Sequence, residues 1–203
     1  MTDLIKEGVL SKTFPDKLPI EKTTSFSIIG PLAKLTASNR RNFSSKTPFA
    51  NSGIMINRNV HTRKYRAPFT NERKVLADVL VPDEEVPERF FVSDQEIWKW
   101  RERRSRNGTV RMKFPDPICE PSRTILTGEG SRSASWHTHI ILTEYGCYRR
   151  LMPIELERLN MFPDDHTKEA TDVQRGFLMG NALVIGIVEL IGRKLAFEHF
   201  RRE

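Results

Sequence analysis

"RRLMPIELERLNMFPDDHT", residues 149–167, is the stretch on which the reading of this chain turns. Pro153 belongs in the first turn of a helix, where its missing N–H leaves no bond unmade. "PIELERLNMF" keeps helical spacing, and Phe162-Pro163 with an acidic turn closes it. Asp164 and Asp165 follow the proline, where they cap or solvate the turn rather than perform acid–base work.

Toward the C-terminus, "GNALVIGIVELIGRKLAFEHF" (residues 180–200) reads as one helix beginning near Asn181. Leu183, Val184, Ile187, Val188, Leu190, Ile191 and Leu195 cover more than one stripe of it, interrupted by Glu189, Arg193 and Lys194. A helix apolar on most sides is expected to be buried on most sides. Its cover is either this chain's own core or another polypeptide, and Gly186 and Gly192 permit close approach by either.

Toward the N-terminus the character changes. From residue 1 to about 145, ten prolines between Pro15 and Pro121 punctuate short elements, which predicts irregular, β-rich structure. "SGIMINRNVHTRKY" (52–65) alternates around an Arg-Asn turn and predicts a hairpin. "SRTILT" (122–127) and "WHTHIILT" (136–143) predict two strands flanking the loop "GEGSRSAS". The expected organisation is α+β: a module over 1–145, then a helical segment over 146–203. There is no internal repeat and no low-complexity tract.

Composition bounds the function. With 203 residues, 38% hydrophobic and 29% charged, the chain has length and apolar content for a folded core. A net charge of +7 suggests an acidic partner, nucleic acid being the commonest. The polar start "MTDLIKEG" carries no signal peptide and no apolar run approaches membrane-spanning length, so a cytoplasmic protein with no membrane partner is expected. Two cysteines are too few for a disulfide framework.

The search for a catalytic centre is largely negative. Cys119 in "DPICEPS" and Cys147 in "YGCYRR" read as small packed thiols rather than nucleophiles. "GEG" at 128–130 lacks the glycine pattern of a dinucleotide loop. His137 and His139 have no partners with metal-ligand spacing and read as ordinary strand or DNA-facing histidines, so no metal is expected.

The positive signals point to DNA. "KWRERRSR" (99–106) sets Lys99, Arg101, Arg103, Arg104 and Arg106 against one Glu102, a cluster suited to phosphates or to a solvated charged face. "SRTILTGEGSRSASWHTHI" supplies arginines for guanine edges, hydroxyls for phosphates and bases, and glycines for close approach. A polar surface hairpin has much the same composition.

These stretches occur together and in order, and on them the chain resembles the C-terminal part of bacterial DNA cytosine-5 methyltransferases. The similarity runs from "LIKEGVLSKTFP" through "FANSGIMINRNV" and "FPDPICEPSRTILTGEGSRSASWHTHII". It is most specific in "RRLMPIELERLNMFPDD" and "QRGFLMGNALVIGIVELI", which look like the family's ninth and tenth conserved blocks. Three positions depart from the pattern: Met152 stands where threonine is usual, Met161 where glycine is usual, and Ala182 where some members have a cofactor-contacting serine.

The resemblance also implies what the 203 residues do not contain: the Pro-Cys nucleophile, the Glu-Asn-Val glutamate and the glycine-bearing loop for S-adenosylmethionine. It therefore implies a target-recognition module followed by helices that pack on the Rossmann-like catalytic domain of a separate subunit. The Met start, falling where the catalytic blocks would have ended, is read as a natural split. The chain is expected to be inactive alone and to act in restriction-modification.

Arg123, Thr124, Gly128, Glu129, Ser131, Arg132, Ser133 and Ser135 form the implied DNA-facing set, with Lys99, Arg101, Arg103 and Arg104 on phosphates. Arg150, Glu155 and Arg158 would organise the junction with the catalytic domain. Gly180, Asn181 and Ala182 would approach S-adenosylmethionine held mainly by the partner. The rival reading is a stand-alone DNA-binding or regulatory module, or a remnant that lost its catalytic half.

Overall fold

The computed structural model describes residues 9–13, 24–27, 52–63, 73–99, 114–131 and 138–200. The chain divides into two compact units, residues 1–71 with 190–203, and residues 72–189. The division expected after residue 145 falls inside the second unit, within a hairpin turn that ends at Gly146 (φ 80°).

In the first unit, helix α1 (Val9–Thr13) precedes a sheet of β1 (Thr24–Ser27), β2 (Ser52–Ile56) and β3 (Asn59–Arg63). Its order is β1-β3-β2, antiparallel throughout. The predicted hairpin is β2–β3, with Ile56 paired to Asn59. Its turn lies one residue earlier than expected, at Asn57 (φ 46°) and Arg58 (φ 66°). Positive φ at both central residues is the geometry that matches strand twist in a two-residue hairpin, and asparagine tolerates it.

The second unit opens with 3-10 turns at Leu76–Val79, Asp83–Glu85 and Glu88–Phe90. There follow β4 (Phe91–Val92), a short helix α2 over 94–99, β5 (Ile140–Leu142) and β6 (Tyr148–Arg150). These strands make a second antiparallel sheet of order β4-β6-β5. Helices α3 (Pro153–Leu159) and α4 (Asp172–Asn181) complete the unit. Helix α5 (Ile185–Phe200) starts here and continues into the first unit. The architecture is mixed α and β with small antiparallel sheets.

Only part of the two expected strands around the GEG loop forms. Residues 121–126 are assigned to no strand, and among the described residues of "WHTHIILT" only Ile140–Leu142 is a strand. Side chains take the place of a ladder: Glu129 accepts from His139 N and Asp116 from Ile140 N.

The core joins Leu76, Val79, Ile141, Leu151, Leu156 and Met179, so one apolar cluster ties the first 3-10 turn, β5, α3 and α4 together. Leu156 is 2% exposed, a burial worth roughly 2 kcal/mol. A smaller cluster of Val92, Ile97 and Ile140 lies on β4, α2 and β5.

Helix α3 carries its proline at the first position, as expected. It ends in paired bonds from Met161 N to Arg158 O (3.0 Å) and Phe162 N to Glu157 O (2.9 Å). This C-terminal motif needs a left-handed residue at Met161, whose φ is 63°. The geometry explains why glycine suits the position where this chain has methionine. Helix α4 is capped reciprocally by Thr171 and Gln174.

The C-terminal helix begins at Ile185, not near Asn181, because residues 182–184 are non-helical and Ile185 N donates to Asn160 O at 3.0 Å. Nor is it buried on most sides: Ile187, Val188, Leu190, Leu195 and Phe197 are all exposed, as is Leu183 just before it, at 73%. Residues 172–197 are also long and apolar enough, by length and composition alone, to cross a membrane, which corrects the expectation that no run approaches that length.

Candidate functional site

The ninth-block segment builds a buried ionic junction. Arg149 on β6 is fully buried, and its five N–H groups all find acceptors. Nε donates to Asp83 Oδ1 (2.9 Å), Nη1 to Glu155 Oε2 (3.0 Å) and Arg150 O (3.3 Å), and Nη2 to Glu155 Oε1 (2.9 Å) and Val81 O (3.3 Å). Glu155 closes the set by accepting from Val81 N (2.9 Å) and Met152 N (2.6 Å). The carboxylate thus holds the start of α3 from one side although Met152 has no hydroxyl to return the cap. Burial pushes the Arg149 pKa down, but the bonds and charge of Glu155, then Asp83, outweigh it and leave it raised.

Of Arg150, Glu155 and Arg158, Glu155 sits at the centre of this cluster within the chain and Arg158 beside it, and the buried arginine is Arg149. Arg158 binds Asp164 through Nε and Nη2 (2.8 and 2.6 Å) and donates to Val79 O (3.2 Å). The pair raises the Arg158 pKa and lowers that of Asp164. Arg150 is half-buried, donates to Ser131 O (2.8 Å), and lies over the Phe90 ring (5.5 Å).

Three further residues of the junction were not singled out from the sequence. Glu157 is fully buried and accepts from Thr167 N (3.1 Å), the Thr167 hydroxyl and Arg175 Nη2 (2.8 Å), all on Oε1. Burial raises its pKa, but Thr167 and Arg175 more than offset that and leave it lowered. Arg175 also reaches Asp165 (3.1 Å), so the two aspartates after Pro163 serve as ion-pair partners. Asn160 donates to Met179 O (2.9 Å) while its own carbonyl receives Ile185 N, which ties the end of α3 to the end of α4 and the start of α5. Spacing gives no warning of such roles; only polar residues on the inner face of a helix would hint at them.

The GEG turn is seated on α4 through glycines. A Cβ at Gly176 would stand 2.4 Å from Gly130 N, one at Gly180 2.4 Å from the Leu126 carbonyl carbon, and one at Gly130 2.3 Å from Val173 O. All three neighbours are backbone, so only glycine fits. The missing side chain of Gly180 therefore makes room for this chain's own loop. Ala182 packs against the main core, and of the three cofactor-adjacent candidates only Asn181 is exposed, with its amide donating to Phe177 O (2.9 Å).

Within the DNA-facing set, Thr124 is exposed and Gly128 and Ser131 are half-exposed. Arg123 pairs with Asp116 (2.7 Å). Glu129 is 4% exposed, and both its oxygens are taken by His139, so it is an internal residue rather than a surface one. His139 is likewise buried, not strand- or DNA-facing. Lys99 is exposed at the end of α2. Arg101, Arg103, Arg104, Arg106, Arg132, Ser133, Ser135 and His137 lie outside the described residues. Cys119 and Cys147 are exposed free thiols rather than packed ones. Among the described residues no group of three or more His, Cys, Asp or Glu could hold a metal.

Beside the junction lies an apolar surface left exposed among the described residues. Val173, Phe177 and Leu178 on α4, Leu183 in the break, and Ile187 and Val188 on α5 are all exposed. Phe177 and Leu178 line a groove with Thr167, Ala170 and Gln174.

Residues 3–196 match the family model described as C-5 cytosine-specific DNA methylase. A curated relative, the type II methyltransferase M.Sau3AI of Staphylococcus aureus, is 33% identical over 161 residues, 72% of this chain. The chain spans 38% of the length of that relative.

Proposed function

The chain belongs to the C-5 cytosine-specific DNA methylase family, and from that premise we propose that it is the DNA-recognition part of an S-adenosylmethionine-dependent cytosine-5 methyltransferase whose catalytic half is a separate subunit. The observation that carries this reading is the exposed apolar surface of α4 and α5 beside the buried ionic junction. An exposed apolar patch of this kind marks a surface that meets a partner. The family chemistry needs a Pro-Cys nucleophile, and here Ile118 precedes Cys119 and Gly146 precedes Cys147. A partner carrying the nucleophile and the cofactor loop would supply both the chemistry and the cover.

In this arrangement S-adenosylmethionine supplies the methyl group, and this chain holds DNA and completes the catalytic half. Asn181 is the residue that would reach the cofactor. Arg101, Arg103 and Arg104, with Lys99, would neutralise phosphates, and Arg132, Ser133 and Ser135 would read bases next to the seated turn.

The test is transfer of a radiolabelled methyl group to mixed-sequence DNA by the chain alone and with a catalytic half carrying the missing blocks. The chain alone should transfer none, and the mixture should be active. Val188→Asp should abolish assembly and activity while leaving the free chain's melting temperature unchanged. Methylation by the chain alone, or assembly unaffected by Val188→Asp, would overturn the reading. A membrane is the competing occupant for residues 172–197, and binding of the free chain to lipid vesicles would favour it. The break at residues 182–184 and charges at Glu189, Arg193 and Lys194 oppose it.

A further inference from the structure

Behind the turn that carries the candidate DNA-facing groups lies a buried polar relay that the proposed function does not use. Glu129 Oε1 accepts from His139 N (2.7 Å) and Glu129 Oε2 meets His139 Nδ1 (2.8 Å). On the other side of the ring, His139 Nε2 meets the Ser122 hydroxyl at 3.0 Å. Both members are sealed, with side-chain exposures of 0% for His139 and 1% for Glu129. A second carboxylate repeats the stitch one residue on: Asp116 accepts from Ile140 N (2.8 Å) and from Arg123 Nε (2.7 Å).

A sealed carboxylate–imidazole pair is an expensive way to fill space, since well-packed apolar residues of similar volume are often no less stabilising. Its distinctive property is direction. Apolar contacts tolerate rotation of a turn by tens of degrees, whereas a carboxylate bonded at both oxygens does not. Along the turn, Glu129 points inward while Thr127, Gly128 and Ser131 keep exposed or half-exposed surface. Gly130 is wedged against Val173 on one side and Arg150 binds Ser131 O on the other. Glu129, Gly130 and the Ser131 carbonyl are therefore each held from within the chain.

We propose that Glu129 and His139 are positioning residues for DNA specificity: the sealed pair holds the Leu126–Ser131 turn in one pose, so that its outward groups meet base edges in a fixed register. This rests on the reading of the chain as a DNA-recognition part. Neither residue touches DNA. A carboxylate only accepts, so the contact with Glu129 calls for a proton on Nδ1.

The tautomer supplies the test. Asparagine at 139 places an amide donor near the position of Nδ1 and keeps the bond to Glu129, whereas glutamine places its donor near Nε2 and loses it. Full-length wild type, His139→Asn, His139→Gln and Glu129→Gln are each offered a pool of random-sequence DNA duplexes, and sequence enrichment is compared with affinity for the unselected pool. Glu129→Gln and His139→Gln should lower enrichment roughly tenfold, with affinity for the unselected pool within about twofold, while His139→Asn stays near wild type.

Undiminished enrichment in folded Glu129→Gln, or no difference between the asparagine and glutamine variants, overturns the inference. If wild type itself enriches no sequence, the DNA-recognition reading fails instead. The positioning role is then decided by amide hydrogen exchange at Glu129 and Ser131 in the free chain. Faster exchange in His139→Gln than in His139→Asn upholds it, and equal rates overturn it.

Discussion

Residues 149–167 bury charge, and residues 183–197 expose apolar side chains. In the first stretch Arg149, Glu155 and Glu157 are fully buried, yet Arg149 and Glu155 are bonded throughout and Glu157 is held through Oε1, its Oε2 alone having no hydrogen-bond partner among the described residues. In the second, Leu183, Ile187, Val188 and Phe197 face outward. The difference teaches that hydrophobicity states what a segment tends to bury, not whether its own chain supplies the cover. Satisfied polar groups are the better sign of a region complete in itself, because an unpaired buried charge is far costlier than an exposed leucine.

The most direct way to break this contrast is to remove one half of the buried pair. Arg149→Ala would strand Glu155 without its counter-charge and Asp83 without its donor, and should cost roughly 3 to 5 kcal/mol in urea unfolding of the second unit. Replacing Arg149 and Glu155 together by leucine should cost much less than the single change. If the single and double variants unfold alike, the ion pair is not what holds the junction.

Next in size is the seating of the GEG turn. Gly176→Ala must displace backbone at Gly130, and backbone cannot swing aside as a side chain does. The expected loss is roughly 1 to 3 kcal/mol. Gly186→Ala meets only the end of the flexible Met161 side chain and should be close to neutral in the same denaturation series. Equal penalties at 176 and 186 would mean that α4 and the turn are not in contact as described.

Much of the first stretch was legible in the sequence and less of the second. Pro153 announced the start of α3, and alternation announced the β2–β3 hairpin, because these signals depend on local backbone geometry. Arg149, the partner of Glu155, was not singled out from the sequence, because adjacent residues on a strand point to opposite faces and one residue decides which arginine is inside. "SRTILT" has strand composition, but Asp116 and Glu129 take up the backbone N–H groups of Ile140 and His139 that a pairing strand would have used. The start of α5 was set too early because Asn160, far away in sequence, holds the chain at Ile185.

A smaller effect should appear in acid. The Glu157 carboxyl has a lowered pKa in the folded chain, because Thr167 and Arg175 overcome the upward push of burial. A group depressed on folding adds stability that is present above its unfolded value, about 4.3, and is lost as pH falls through the folded value. Wild type should therefore lose its advantage over Glu157→Gln as pH drops below about 4. Urea midpoints at stepped pH give the measurement, and a gap that widens in acid would have the wrong sign for this pair.

The smallest expected effect probes the exposed stretch from within. Gly192 lies inside α5, and a Cβ built there meets nothing within 4 Å. Glycine in a helix interior costs roughly 0.5 to 1 kcal/mol relative to alanine, so Gly192→Ala should raise the melting temperature of the free chain slightly. In the assembly the same methyl would lie on the face offered to the partner. If the partner's backbone approaches as closely as Gly130 approaches Gly176, binding should weaken even as the free chain gains stability. Calorimetry on the free chain and titration with the catalytic half separate the two. Opposite signs place Gly192 inside the interface, and a gain in both confines the contact to the Leu183–Val188 side of the helix.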